Sequence, residues 1–329
     1  VADAALKRMA APAAFDTEMF LNKQAQLIAL RLDDDCPVLN TPLKQLTDLF
    51  STLRTLVVAI RRQGTLFAPE SGDQLFSGDE CYLMCHVDDS QRSVEVFGKP
   101  NLEQNRIVLI GGGNVGQRVA YQLEKYKKRI SAKIIEKNIN IAEAETEFLD
   151  RSIVLSGDGL DVNMLAEANV SRADTVLAIT DDDKTNMLAA VRAKAQGCKM
   201  AIVLINDPTL VPLMQPLGID AYINPRATTV SSILRHIRHG RVKGVYAIGD
   251  AEAEILEAEV LSTSPIAGQK IRDIEFPESV IIGGLLKNGE FIKPSGGTLI
   301  EEGDTIALFT MAEDIPEVER LLQVSIDFF

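Results

Sequence analysis

The middle of the chain alternates continuously apolar runs with segments of helical spacing. "RIVLIG", "SAKIIEK", "SIVLSG", "ADTVLAIT" and "KMAIVLIN" have the length and composition of strands, and "DAYINP" is a shorter sixth strand. Segments such as "GQRVAYQLEKY" and "NIAEAETEFL" follow them with the spacing of helices. The pattern predicts an α/β fold with a Rossmann-type doubly wound parallel sheet at residues 104–226.

The two flanks of this region lack the alternation but resemble each other. Each reads as a strand, a short helix, a hairpin, a strand and then a helix or tail. Residues 20–100 and 242–329 are therefore predicted to be two copies of one small α+β domain. Pro37 corresponds to Pro265 at an offset of 228 residues. At an offset of 225 residues, the corresponding pairs are Gly64 and Gly289, Pro69 and Pro294, and Gly78-Asp79 and Gly303-Asp304.

Two short segments complete the predicted organisation. Residues 227–241 are basic and are expected to form a linker helix, in which His236 and His239 are solvated rather than bound to a metal. If the repeating unit is a Rossmann domain followed by a small domain, a first Rossmann domain is missing. Residues 1–19 are then interpreted as an N-terminal segment that ends this missing unit.

Composition narrows the class of protein. The net charge of −13 argues against a nucleic-acid-binding surface, which needs clustered Lys and Arg. The apolar runs are strand-sized, and none approaches the roughly 18 to 20 residues of a membrane span. The cysteines lack the spacing of a zinc site, so we predict no bound metal, and buried reduced thiols in a reducing cytoplasm. They are Cys36, Cys81, Cys85 and Cys198.

The stretch "IVLIGGGNVGQRVA" carries the most specific chemistry. Gly111, Gly113 and Gly116 follow a strand and open a helix with the spacing G-x-G-x-x-G, which allows a tight turn, approach of a pyrophosphate and close helix packing. Glu136 ends the second strand, where its carboxylate can accept hydrogen bonds from ribose hydroxyls and repel a 2′-phosphate. The motif favours NAD or NADH over NADP, and ATP or ADP remain alternatives.

Other polar residues follow the third and fourth strands, where ligands bind in such sheets. Asp158 is placed to meet an adenine edge, and Thr180, Asp181 and Asn186 to face the distal half of a ligand. Helix N-capping is an equal alternative for Asp181 and Asp182, and it is the favoured interpretation for Asp183.

No residue of the sequence is convincing as a catalytic acid or base. His86 stands alone in a strand, and the repeated flanks do not repeat a catalytic group. We therefore predict a binding protein with no catalytic residues. The alternatives are an NAD-dependent oxidoreductase with an unidentified substrate, and a scaffold that has lost nucleotide binding while its glycines persist for packing.

These motifs resemble a known family. "IVLIGGGNVGQRVA", the acid in "IIEKN", "VLSGDGLD", "ADTVLAITDDDKTNMLAA" and "YINPR" are similar to the nucleotide-binding half of RCK (KTN) domains, and the small repeats resemble their RCK-C companion domains. The tandem arrangement resembles the TrkA family, the peripheral cytoplasmic subunits of bacterial Trk potassium uptake systems.

The resemblance implies a function and a set of ligand contacts. Such subunits bind NAD, NADH, ATP or ADP, form dimers or rings on the inner face of the membrane, and regulate a TrkH-like potassium transporter. Many relatives carry Arg at the position of Asn114, so the resemblance implies that this loop lacks a charged phosphate contact, which shifts the preference between NAD and ATP. The residues implied are Gly111, Gly113, Asn114, Val115 and Gly116 at the phosphates, Glu136 at the ribose, Asp158 at the adenine, and Thr180, Asp181 and Asn186 towards the second half.

Overall fold

The structure, a computed structural model, describes residues 1–10, 14–99, 105–126, 130–225, 242–249 and 251–322. The chain divides into two compact units. One unit comprises residues 1–15 and 102–228, and the other comprises residues 16–101 and 229–329. The predicted linker helix at 227–241 lies outside the described residues.

The first unit contains a parallel sheet of six strands, as the apolar runs predict. The spatial order β11-β10-β9-β6-β7-β8 is that of a doubly wound Rossmann sheet, with β6 and β9 adjacent at its centre. The strands are β6 (Arg106–Ile110), β7 (Ser131–Glu136), β8 (Ile153–Ser156), β9 (Thr175–Ala178), β10 (Met200–Leu204) and β11 (Ala221–Ile223).

Helices cover both faces of this sheet. The central strands are buried on both sides, and alternate residues of β9 contribute to two different apolar clusters. The crossover helices are α4 (Asn114–Tyr126), α5 (Ile139–Phe148), α6 (Val162–Glu167) and α7 (Asp183–Ala195). The segment after β10 forms a 3-10 helix, Pro208–Leu213.

The N-terminal segment begins with a helix, α1 (Ala2–Ala10), that belongs to the Rossmann unit. α1 contacts α4 and β11, and Ala5 and Met9 are buried in the same apolar cluster as residues of β6. The chain then enters the second unit at Asp16. The helix α1 thus covers part of a Rossmann sheet whose strands lie about a hundred residues later in the chain.

The second unit contains two five-stranded antiparallel sheets of the same topology. Their orders are β1-β2-β5-β3-β4 and β12-β13-β16-β14-β15. The first copy comprises β1 (Asp16–Phe20), β2 (Ala25–Arg31), α2 (Leu43–Leu49), β3 (Thr55–Arg62), β4 (Thr65–Phe67), β5 (Glu80–His86) and α3 (Ser90–Val96). The second comprises β12 (Val242–Ile248), β13 (Ala253–Glu259), β14 (Ile281–Lys287), β15 (Glu290–Ile292), β16 (Thr305–Met311) and α8 (Ile315–Leu322).

The strand registers confirm the internal repeat. Leu30 pairs with Cys81 as Ala258 pairs with Ile306, and both pairs keep the offsets read from the sequence. Each copy also has a β-bulge at the same place, between Val57 and Ala59 in one and between Ile282 and Gly284 in the other. The sequence pattern did not predict the first strand of each copy, β1 and β12, which lie at the edges of their sheets.

The two copies contact each other in a reciprocal way. Gln24 of the first copy donates its side-chain amide to the Gly289 carbonyl in the β14–β15 hairpin, at 2.6 Å. Arg61, which begins the β3–β4 hairpin, binds Glu252 of the second copy at 2.9 Å. Gln24 and Glu252 are equivalent positions in the two copies. Each of them contacts the hairpin of the other copy, so the two contacts are related by the internal repeat. This arrangement has the symmetry of an isologous dimer within one chain.

The two bulge residues meet where the copies face each other. A Cβ atom at Gly283 would lie 3.0 Å from the Met84 side chain and 3.1 Å from Cγ1 of Val58. Val58 and Gly283 are equivalent positions, so the larger residue of one copy fills the space that the smaller residue of the other leaves. Both are buried.

We predict that Gly283→Ala destabilises the second unit by about 1 to 3 kcal/mol, because the new methyl group overpacks a closed contact. Val58→Ala in the same chain should recover part of the loss, and a double-mutant cycle of urea unfolding free energies should show a coupling above about 0.5 kcal/mol. Gly72→Ala, where a Cβ meets nothing within 4 Å, is the matched control. Strict additivity of Gly283→Ala and Val58→Ala would contradict the packing argument.

Candidate functional site

The candidate site lies where β6, β7, β8 and β9 end at one edge of the parallel sheet. Ile110 and Ala178 are paired at the ends of β6 and β9, and the Ile179 amide donates to the Ile110 carbonyl at 2.8 Å. On the other side, the Gly157 amide donates to the Glu136 carbonyl at 2.8 Å. The glycine loop and the loops after β7, β8 and β9 are therefore neighbours along this edge.

Backbone packing explains two glycines of the loop. Gly111 has φ of 105°, and a Cβ there would lie 2.9 Å from the Thr180 amide nitrogen. A Cβ at Gly116 would collide with the Gly111 carbonyl oxygen. These two positions need glycine for the turn itself and for close approach of α4 to the loop.

The other loop positions face outward. A Cβ at Gly113 would meet nothing within 4 Å, and both Gly113 and Asn114 are exposed while Val115 is half-buried. α4 begins at Asn114, so its first amide groups lack acceptors within the helix and carry the positive end of the helix dipole. The open space in front of Gly113 and this helix start are suited to an anion such as a phosphate.

Glu136 is held by the backbone on both sides of β7's end. Its two carboxylate oxygens accept from the Gly112 amide at 2.6 Å and from the Asn138 amide at 2.7 Å. The residue is 9% exposed. Since each oxygen accepts only one of these bonds, lone pairs remain for further donors such as hydroxyl groups. The carboxylate also fixes the conformation of the glycine loop.

Asp158 is already paired in the structure. Lys137 donates to one carboxylate oxygen at 2.9 Å, and the Leu160 amide donates to the other at 2.9 Å. The hydrogen bond from Lys137 is the largest cause of the lowered pKa of Asp158. Asp158 is only half-buried, so a ligand at this position would meet an ion pair rather than a free carboxylate.

The loop after β9 is organised by Asn186. This residue is fully buried, and its side-chain oxygen accepts from both the amide and the hydroxyl of Thr180, at 2.8 and 2.7 Å. Its side-chain nitrogen donates to the carbonyls of Thr180 and Leu204, at 3.1 and 3.0 Å. The amide of Asn186 therefore positions Thr180, and a contact of Asn186 with a ligand stays a prediction.

The three aspartates that follow have separate roles. Asp182 is the N-cap of α7, where its side chain accepts from the Thr185 amide at 2.5 Å. The predicted capping role of Asp183 is wrong, because its carboxylate accepts from the backbone amides of Asn206 and Asp207 and ties α7 to the loop after β10. Asp181 is exposed, and its contact with a ligand stays a prediction.

Glu145 of α5 is a residue of this site that the sequence analysis missed. It is fully buried, and neither of its carboxylate oxygens has a hydrogen-bond partner within the described part of the chain. A Cβ at Gly112 would lie 2.9 Å from Cδ of Glu145 and 3.1 Å from Cβ of Glu136, so the loop passes between the two acids. Burial, followed by the charge of Glu136, raises the pKa of Glu145 to about 7.

A signal for Glu145 was present in the sequence. Ala142, Glu145 and Leu149 are spaced i, i+3 and i+7, which places the acid on the inner face of a helix. All three are buried. A carboxyl group within an apolar helical face is stable only if it pairs with a hydrogen-bond donor or cation, or if it stays protonated. Among the described residues, the folded chain supplies no such partner for Glu145.

Comparisons with known proteins assign the family. A TrkA-N domain matches residues 107–225, and a TrkA-C domain matches residues 255–323. The Trk system potassium uptake protein TrkA of Azorhizobium caulinodans is 40% identical over 329 residues, which cover the whole of this chain and 72% of that protein. The chain belongs to the TrkA family. TrkA of Haemophilus influenzae is 31% identical, again over the whole chain and 72% of the relative.

A solved structure shares the fold of this TrkA family member. The GsuK channel bound to NAD superposes with a TM-score of 0.51 at 16% identity, covering 97% of this chain and 57% of the channel chain. The likeness supports the Rossmann sheet with companion small domains that the sequence predicts. In the described part of this chain, no helix has the length and apolar character needed to cross a bilayer, and no cluster of three or more metal ligands occurs.

The four cysteines are buried free thiols, as predicted. Cys81 and Cys85 lie within β5, and burial raises their pKa values, to about 12 for Cys85. The ring of His86, at the end of the same strand, contacts the ring of Phe291 in a tilted arrangement with ring centroids 5.3 Å apart. Cys81, Cys85 and His86 belong to the small-domain unit and not to the edge of the Rossmann sheet.

We predict that Glu145→Gln removes a pH dependence of stability. The folded state raises the pKa of Glu145 from 4.5 to about 7, so it holds this proton more tightly than the unfolded chain does. The free energy of unfolding therefore falls as pH rises through this window, by up to roughly 3 kcal/mol at about 1.4 kcal/mol per pKa unit. Relative to wild type, Glu145→Gln should gain stability between about pH 5 and about pH 8 in urea unfolding.

The control for this measurement is Glu143→Gln on the exposed side of α5. It removes the same charge from the same helix without changing a buried carboxyl, so its curve should follow the wild type. The interpretation of Glu145 fails if Glu145→Gln and Glu143→Gln give the same dependence on pH.

Proposed function

We propose that this chain is a regulatory subunit that binds an adenine nucleotide, NAD or NADH first and ATP or ADP as alternatives, and thereby controls potassium uptake by an integral membrane transporter subunit. The subunit acts as a homo-oligomer on the cytoplasmic face of the membrane. The proposal rests on the arrangement of groups at the edge of the parallel sheet. An exposed helix start in front of Gly113 lies next to a buried carboxylate, Glu136, that retains free lone pairs.

The ligand in this proposal spans the edge of the sheet. Its phosphates lie against the exposed backbone at Gly113, Asn114 and Val115, and a ribose donates its hydroxyl groups to Glu136. The Lys137–Asp158 ion pair lies beyond β7's end, where adenine or its ribose passes. Thr180, held in place by Asn186, contacts the second half of a dinucleotide. A mononucleotide would leave Thr180 and Asp181 without a ligand, and this difference is what a sensor needs.

Regulation requires that the ligand bind two conformations with different affinity. A tenfold preference for one conformation corresponds to about 1.4 kcal/mol, and a hundredfold preference to about 2.7 kcal/mol. Several subunits that change together in an oligomer would add their preferences. Contacts that differ between nucleotides, at the loop after β9, are the source of such a preference in this proposal.

A role in transport is favoured over hydride transfer. The relatives above are potassium uptake proteins by name, and the polar residues of the loops are engaged in structural bonds. Glu145 has the pKa of a general acid, but it lies under the glycine loop and is fully buried. An oxidoreductase would need such a group beside the nicotinamide ring, at the other end of the ligand.

We predict that Gly113→Asp abolishes the stabilisation of the protein by nucleotides. The new carboxylate has room, since a Cβ meets nothing within 4 Å, and it places a negative charge where the phosphates lie. The affinity for NAD, NADH, ATP and ADP should fall at least about tenfold, a loss of about 1.4 kcal/mol or more. The measurement is the shift of the melting temperature across a titration of each nucleotide.

Gly72→Asp is the matched control, because it also adds a carboxylate at an open position of ordinary φ, but in the small-domain unit. It should retain the full nucleotide response. Binding that survives in Gly113→Asp, or a melting temperature that no adenine nucleotide raises in wild type, would contradict a nucleotide site at this loop.

The transport role has its own expected outcome. In vesicles that contain the membrane transporter, wild-type protein should make potassium uptake depend on the nucleotide present, and Gly113→Asp should leave uptake insensitive to it. Absorbance of added NADH should stay constant throughout, because the ligand is a signal and is not consumed. Uptake with the same nucleotide response for both proteins would refute the gating role even if binding is confirmed.

A further inference from the structure

The first small copy contains a cavity of about 420 Å³ that none of the functions above uses. It lies under α2, between that helix, β3 and α3, and it is lined mainly by aliphatic and aromatic side chains. Its volume is within the range of about 300 to 1,000 Å³ that is typical of small-molecule sites. The apolar residues that the argument uses are Leu43, Leu46, Phe50, Leu56 and Val96.

The equivalent segment of the second copy borders a smaller cavity of about 310 Å³ that is lined by more charged residues. Ile271 and Ile274 occupy the positions equivalent to Leu43 and Leu46, and all four side chains are half-buried. The cavity of the first copy therefore differs from that of the second in its larger volume and its mainly apolar lining.

A single amine gives the cavity its polarity. Lys293 of the second copy reaches into the wall and donates to the Leu53 carbonyl at 3.0 Å. Burial lowers the pKa of Lys293. Within the described residues no carboxylate forms an ion pair with it. An ammonium group that is partly removed from water without an anion costs free energy, and a bound anion would offset that cost.

The rim of the cavity limits which anion fits. Asp48 and Glu70 line it together with Lys44, and all three side chains are exposed. The two acids repel a ligand with several negative charges, such as a nucleotide or a phosphate ester. The lining therefore combines one half-buried cation, a large apolar surface and an acidic entrance, which fits a ligand with an apolar body and one carboxylate.

We propose that the cavity under α2 is a binding site for an amphipathic monocarboxylate, whose apolar body lies against α2 and α3 and whose carboxylate pairs with Lys293. The ligand fills the space between α2, β3 and α3. Because Lys293 comes from the other copy, the ligand also joins the two halves of the small-domain unit.

The test is calorimetric titration of the full chain with decanoate, and with decanol as the uncharged analogue. Decanoate should bind, and decanol should bind at least tenfold more weakly. Lys293→Met keeps most of the apolar stem and removes the charge, so decanoate affinity should fall at least tenfold to the level of decanol. Lys270→Met, an exposed lysine of the same copy, should leave decanoate affinity unchanged.

A second variant tests the cavity itself. Leu46→Trp fills it and should abolish the binding of both decanoate and decanol, and an unchanged urea midpoint would show that the fold is kept. Gly113→Asp should bind decanoate as wild type does, since the two sites lie in different units. The proposal is overturned if decanoate does not bind, if Lys293→Met or Leu46→Trp binds it normally, or if NAD competes with it directly in the Gly113→Asp protein.

Discussion

The hydrogen bond from the Gly112 amide to the buried carboxylate of Glu136 is the contact on which the candidate site depends. It joins the glycine loop after β6 to the end of β7, and it fixes the loop so that Gly113 and the start of α4 face outward. A second bond, from the Asn138 amide, holds the same carboxylate from the other side. One acid thus shapes the glycine loop and keeps lone pairs for further donors, which in the proposed nucleotide complex are the ribose hydroxyls. Loss of Glu136 would change both at once, which makes Gly113 the cleaner position for a test of binding.

Glu145 gives this arrangement a dependence on protons. When neutral, it packs beneath Gly112 without adding charge, and the negative charge at the edge is that of Glu136 alone. When it ionises, two carboxylates stand on either side of one loop, and both the loop and an anionic ligand are disfavoured. Because the pKa of Glu145 is raised to about 7, this change falls near neutral pH. Folding stability and occupancy of the site are therefore expected to respond to pH in the same direction.

The sequence predicted the features that follow from local pattern. Continuous apolar runs identified all six parallel strands, and the spacing of glycines with Glu136 located the turn and its acid. Other features depend on contacts between distant residues. The local sequence does not show that the side chain of Asn186 accepts a hydrogen bond from Thr180. It also does not show that Asp183 binds the loop after β10, or that Lys137 forms an ion pair with Asp158. The edge strand β1 was missed because polar residues interrupt the continuous apolar pattern of a buried strand, whereas β12 was missed although its residues 245–248 form a continuous apolar run.

The meeting of Val58 with Gly283 has a consequence for how the two small copies can differ. In a dimer of identical chains, a residue on the two-fold axis always meets itself, so its size must suit its own image. Joining both copies in one polypeptide removes that restriction, and a protruding side chain on one half can fit a depression on the other. The halves then recognise each other in preference to a second molecule's equivalent half. Without the need for self-complementarity, each half can line its interior with different residues, and the cavity of the first copy has a smaller counterpart with more charged walls in the second.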